Sequence, residues 1–238
     1  MGVWMNRLKN FGLAIAVSLA TITGAQASTV TTSNVEQLTG KVNDFSTVFK
    51  YDLSTIGLSS LTGINIVDRG DLGGTLGSSG TGLDIDAVLI STVDCADAAC
   101  VAGLASAAAF DFDNLSFTAG TILDHDWLFG AAADGSVDPA LATLGAFDAS
   151  TSTMTGWLSF GLDGSLALDL LTSLSLTGGQ FFLYVAEAGM TGEFDAERIQ
   201  FVGEDDVLVN PVPAALPLML TGLAGFAAAR RKKKAKAA

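Results

Sequence analysis

Cations are scarce where acids abound. All 25 acidic residues fall between Glu36 and Asp206, and only Lys41, Lys50, Arg69 and Arg198 share that stretch, giving it a formal charge of −21. A surface of that sign repels phosphate backbones and anionic lipid, which excludes nucleic acid as a partner. Histidine occurs once, as His125, so a zinc centre of the H-E-x-x-H kind is impossible. No serine stands in a G-x-S-x-G turn, so there is no nucleophile elbow. Lys, Glu and Gln are few in the central chain, which disfavours long solvent-facing helices. Cysteine is limited to Cys95 and Cys100, in "DCADAAC". Two thiols without a nearby histidine make a poor metal site, and the spacing is not C-x-x-C. A disulfide that closes a small loop in an exported protein is the expected state.

Gly, Ser, Thr, Ala and Asp fill the space left. Short alternating runs recur at residues 45–53, 61–67, 83–90, 110–117, 154–162, 165–170, 179–187 and 197–203, each bounded by Gly, Asp, Asn or Ser. The pattern predicts an all-β domain, an antiparallel β-sandwich or jelly-roll-like fold, over residues 28–208. Short helices are expected at 33–42, 95–108 and 138–145. The glycine-rich stretch 73–82 is a loop, since it lacks both G-x-G-x-x-G order and a following Lys-Ser/Thr.

Three Asp-x-Asp pairs are the sharpest local chemistry: Asp84 with Asp86, Asp111 with Asp113, and Asp124 with Asp126. On a strand, residues two apart share a face, so each pair is expected to project together. Such carboxylates could ligate Ca²⁺, which takes several hard oxygen ligands, although no EF-hand pattern is present. They could serve as a glycosidase pair across a cleft. They could also be a solvated strand face that resists edge pairing. No other cofactor is implied. His125, spaced with Leu123 and Trp127, reads as a partly buried strand histidine. Trp127, Trp157, Tyr51 and Tyr184 could form a sugar-stacking platform or pack in the core. The "RGD" at 69–71 is ordinary turn chemistry.

The two ends carry targeting features. Arg7 and Lys9 precede an apolar run from Phe11 to Ile22, and Ala25-Gln26-Ala27 has the small-residue form of a cleavage site. Residues 1–27 therefore read as a signal peptide, with a signal helix and a mature chain beginning at Ser28. Residues 214–229 form a 16-residue run without charge. As a helix it would reach about 24 Å, against a hydrocarbon core of about 30 Å. It is expected to be a short transmembrane helix, with Arg230, Arg231, Lys232, Lys233, Lys234 and Lys236 held on the cytoplasmic side.

That order, a proline box followed by an apolar helix and a basic end, resembles the PEP-CTERM class of bacterial sorting signals, in its VPLPA-CTERM form. The box is Asn210-Pro211-Val212-Pro213-Ala214, and residues 209–238 make up the tail. The resemblance implies an exosortase-type processing enzyme and sorting within bacteria that make extracellular polysaccharide. It implies transient inner-membrane residence, then a cell-surface or extracellular location. It says nothing about the fold of the central domain. A plain anchor that is never cut is the alternative. The whole chain reads as an exported envelope or matrix protein, structural or adhesive and without enzymatic activity. A calcium-dependent carbohydrate-binding module is the second reading, and a hydrolase using two of the Asp residues the third.

Overall fold

The computed structural model describes residues 27–68, 82–121, 128–132, 134–189, 194 and 198–205. Signal-peptide residues 1–26 with Ala25, the motif Pro211, Val212, Pro213 and Ala214, and the whole basic tail lie outside the described residues, whereas Ala27 and Ser28, on either side of the expected cleavage point, begin the first strand. Asp124, His125, Asp126, Trp127 and the RGD tripeptide also lie outside the described residues.

The fold is mostly antiparallel β. The strands are β1 (Ala27–Thr31), β2 (Glu36–Gln37), β3 (Thr47–Asp52), β4 (Leu58–Val67), β5 (Asp84–Ser91), β6 (Ser116–Thr118), β7 (Leu158–Ser159), β8 (Ser165–Ser175), β9 (Phe182–Glu187) and β10 (Ile199–Asp205). They form two five-stranded sheets, in the orders β1-β10-β4-β8-β6 and β2-β3-β9-β5-β7. Six of the eight expected runs contain or overlap the six longest strands. The run 110–117 yields only the three-residue β6 and an isolated bridge from Phe110 to Leu170. The run 154–162 yields only the two-residue β7.

One apolar core joins the sheets. It takes Phe49, Tyr51, Ile85, Val88, Ile90, Leu183 and Val185 from the second sheet and Leu61, Ile64, Leu166, Leu168 and Phe201 from the first. Along β8, Leu166, Leu168 and Leu170 are buried while Asp169 and Leu171 are exposed, the alternation of a half-solvated sheet. β5 and β9 do not alternate: every residue of β9 is buried, as is all of β5 after Asp84. Their outer face is covered as well, by a second cluster in which Val48, Ala87, Leu89, Tyr184 and Ala186 meet Leu38, Val42, Cys95, Ala98 and Val101.

The cover is a stapled flap. Cys95 and Cys100 are disulfide-bonded, with Cα atoms 5.7 Å apart. A loop of this size adds roughly 2 kcal/mol in the chain-entropy view. Within it, α1 (Ala98–Val101) is a single turn capped by Asp97, whose carboxylate accepts from Cys100 N at 2.9 Å. Tyr184 reaches up from β9, donating to Val93 O at 2.6 Å and accepting from Cys95 N at 2.9 Å. Lys50 Nζ holds the same flap through Asp94 at 2.7 Å and Cys95 O at 3.1 Å, and binds Glu36 on β2 at 2.7 Å.

Two expected helices are corrected. Residues 33–42 have apolar residues at 35, 38 and 42, a helical spacing, yet they form β2 and turns. Leu38 N bonds Val48 O at 2.9 Å, and Gly40 at φ +79° breaks any continuous helix. Residues 138–145 make one turn, with Ala142 N on Asp138 O at 2.8 Å, and go no further. Residues 95–108 are helical only over α1. Among the described residues, no helix is long and apolar enough to cross a membrane.

Candidate functional site

The acidic pairs do not project as pairs. β5 and β9 are in register as Ile85↔Glu187 and then Ala87↔Ala186, so Asp86 is an extra residue in a β-bulge. The bulge breaks strict alternation: Asp84 is half-buried, while Asp86 is fully buried. The expectation of a shared solvated face is therefore wrong for Asp84 and Asp86.

For Asp111 and Asp113 the same expectation is wrong for another reason. Neither residue lies on a strand, because the chain turns between Phe110 and β6. Asp111 is half-buried and is used by that turn, accepting from Asn114 N at 3.2 Å and Asn114 Nδ2 at 2.9 Å. Asp113, contrary to the strand reading, is a turn residue and exposed to solvent. The period-two rule that would set Asp113 beside Asp111 holds only for extended chain.

Asp86 is the most unusual of the described acids. Its Oδ1 accepts from Asp148 N at 3.1 Å and Ala149 N at 3.0 Å, which latches the 143–157 loop onto the second sheet. Asn43 Nδ2 grips the same loop at Phe147 O, 2.6 Å, and Thr143 Oγ1 donates to Asp148 Oδ1. Asn43 is placed by a hairpin turn in which it and Asp44 both take positive φ, +54° and +57°. Asn and Asp tolerate that region better than other side chains do. The loop packs apolar residues of its own over this end: Ala149 and Trp157 with Ala188, flanked by Phe45 and Phe129.

The other oxygen, Asp86 Oδ2, is buried without a partner of good geometry, and so is Ser46 Oγ. Ser46 lies one residue before β3, with β9 between β3 and β5. Burial pushes the Asp86 carboxyl up to about 6, and the charge of Asp148 acts the same way. The Ser46 hydroxyl and the two loop amides pull it down. Above this latch lies an open depression of about 320 Å³ lined by Asn43, Phe45, Asp148, Ala149 and Ser150–Ser152.

Among the described residues, no group of three or more His, Cys, Asp or Glu side chains is placed to share a metal ion. The described candidate ligands Asp84, Asp86, Asp111 and Asp113 are thus not gathered into one cluster. Trp157, Tyr51 and Tyr184 are buried, so none of these three offers an open stacking face. A second buried polar element was missed in the sequence. Arg198 Nη1 pairs with Asp68 Oδ1 at 3.0 Å, and Asp68 Oδ2 accepts from Leu83 N at 2.8 Å. No local pattern marks a pair 130 positions apart; an arginine, one of two in a stretch short of cations, was the available signal.

Seven of the described aspartates share a use. Asp52, Asp97, Asp111, Asp134 and Asp138 each accept from a backbone N–H two or three residues ahead. Asp68 and Asp86 do the same across the fold. Short acceptor side chains close to the backbone suit this work, which longer glutamates do less well. Comparison of the chain with protein-family models, with characterised proteins and with solved structures returned no match.

Proposed function

We propose that this chain is an exported structural or adhesive protein of the cell envelope or extracellular matrix, sorted by its C-terminal tail and acting without catalysis. The observation that carries the reading is the engagement of the aspartates by the chain's own backbone. The residues with the most chemistry to offer hold turns, caps and a loop latch. The stapled flap and a strongly negative surface suit a hydrated, oxidising exterior. The exosortase-type partner, transient membrane anchorage and contact with extracellular polysaccharide follow from the tail resemblance.

A calcium-dependent carbohydrate-binding module is the second reading. Asp86 Oδ2 favours it, being a buried hard oxygen with no hydrogen-bond partner of good geometry, on the same strand as Asp84.

A glycan array probed with the full chain, with and without calcium, tests both. Retention independent of calcium and without release of reducing ends is expected. Retention that requires calcium and disappears in Asp86→Asn would favour the second reading. Release of new reducing ends would contradict both.

A further inference from the structure

Two hairpins line the open depression above the Asp86 latch. One turns at Asn43 and Asp44 and is closed by backbone bonds between Val42 and Ser46, 2.9 Å in each direction. The other closes where Ser150 N donates to Thr155 O at 2.9 Å. Asp86 fixes its base through the amides of Asp148 and Ala149. Both walls are thus held by the fold before anything binds, which lowers the cost of binding. At about 320 Å³ the depression is near the lower end of the size range of small-molecule sites. Its lining is mixed. Phe45 is half-buried and supplies the apolar part, its ring braced by Trp157 with centroids 5.8 Å apart. Asn43, Asp148 and the hydroxyls of Ser150, Thr151 and Ser152 supply the polar part. The Asn43 amide nitrogen is spent on Phe147 O, which leaves Oδ1 to accept from a ligand. Asp148 is exposed and gives Oδ1 to Thr143, which leaves Oδ2. The lining holds one carboxylate and no cation.

We infer that this depression binds a neutral hexose unit of a polysaccharide, with the apolar face of the sugar over Phe45 and its hydroxyls bonded to Asn43, Asp148 and residues 150–152. The inference rests on the polysaccharide contact proposed above and gives that contact a place. Each part of the lining narrows the ligand. A phosphate, sulfate or uronic acid would meet Asp148 and a domain of −21, with no lining cation to offset them. A calcium ion would find one carboxylate where it takes several oxygen ligands. A wholly apolar ligand would leave the two side-chain oxygens and the hydroxyls without partners. A cationic sugar would be drawn to acids all over the surface, so this site would not select it. A neutral sugar ring meets every condition. It offers C–H groups to an aromatic ring, donates hydroxyls to the amide and carboxylate oxygens, and accepts from Ser and Thr. An open site of this size holds one unit weakly, and a polymer that engages many copies on a surface is held by avidity.

The test titrates the nitrogen-15-labelled full chain with cellotetraose, maltotetraose and a β-mannan tetrasaccharide, and with tetragalacturonic acid as the anionic comparison. Amide shifts locate the site. At least one neutral probe should give saturable shifts at Asn43, Phe45 and residues 148–152. Binding should be unchanged by chelator and between about 0.1 M and about 1 M salt, since no net charge is involved. Phe45→Leu keeps an apolar side chain against Trp157 and should weaken binding about three- to tenfold, the worth of an aromatic contact. Phe45→Tyr keeps the ring and should bind as wild type does. Leu171→Ser, on the exposed outer face of β8, should change nothing. Neutral-probe binding that shifts other amides and survives Phe45→Leu would overturn this site and leave the polysaccharide contact standing. Equal or tighter binding of tetragalacturonic acid would overturn the neutral class. No binding of any probe, together with no retention on the glycan array, would overturn both the site and the contact.

Discussion

Replacing Arg198 with leucine should remove about 3–5 kcal/mol of stability, the cost of leaving one member of a buried ion pair behind. Arg198 is 1% exposed and Asp68 4% exposed, so water offers little relief to whichever partner remains. Asp68 directly follows β4 and binds the amide of Leu83, which precedes β5, while Arg198 precedes β10. The pair thus ties the start of a strand in the second sheet to the ends of two strands in the first. Gly82 makes the approach possible. Its φ is +69°, and a Cβ there would meet the Gly161 carbonyl carbon at 2.7 Å and crowd Asp68 Oδ2. Urea denaturation of Arg198→Leu should show the drop in midpoint. Adding Asp68→Asn should recover part of it, since the amide oxygen still accepts from Leu83 and no buried charge is left. A loss below about 1 kcal/mol would mean that the pair is solvated like a surface bridge.

Asp86→Asn should have the opposite sign. The Asp86 carboxyl is raised from 3.8 to about 6 in the folded chain. The folded state therefore holds more protons than the unfolded state between those values. The favourable contribution of the neutral acid is fully present below about pH 3.8 and is lost as pH rises through about 6. The loss amounts to about 3 kcal/mol at 1.36 kcal/mol per unit. Asparagine removes the charge and keeps an oxygen for the amides of Asp148 and Ala149. Its stability should match wild type near pH 4 and exceed it by up to about 3 kcal/mol above pH 7. Asp86→Ala should lie below Asp86→Asn at every pH, by about 1–3 kcal/mol for each loop amide left without an acceptor. Melting curves of the three proteins from pH 4 to pH 8 give the comparison. Destabilisation by Asp86→Asn confined to pH 7 and above would mean that the carboxylate is the form the fold requires.

The strand content was legible because a half-buried strand announces its period, as β8 does with Leu166, Leu168 and Leu170. What failed was local pattern overruled by distant contacts. The helical spacing of Val35, Leu38 and Val42 arises because Leu38 and Val42 pack under the flap from an irregular segment. The spacing of Asp84 and Asp86 implied one face, but a bulge, which needs the partner strand to be seen, turned Asp86 inward. Asp111 and Asp113 looked like strand and form a turn, since an Asx turn and an exposed strand use the same residues. The disulfide was readable from the closeness of the two cysteines. The latch of Asp86 on a loop 62 positions away was not.

Intact-mass analysis of the protein recovered from the cell exterior tests the central proposal most directly. Export and tail sorting together predict a product that begins at Ser28, ends near Pro211 to Ala214, lacks Arg230 to Ala238 and keeps Cys95 joined to Cys100. A product recovered there that still carries Arg230 to Ala238, or that has both thiols free, would contradict it.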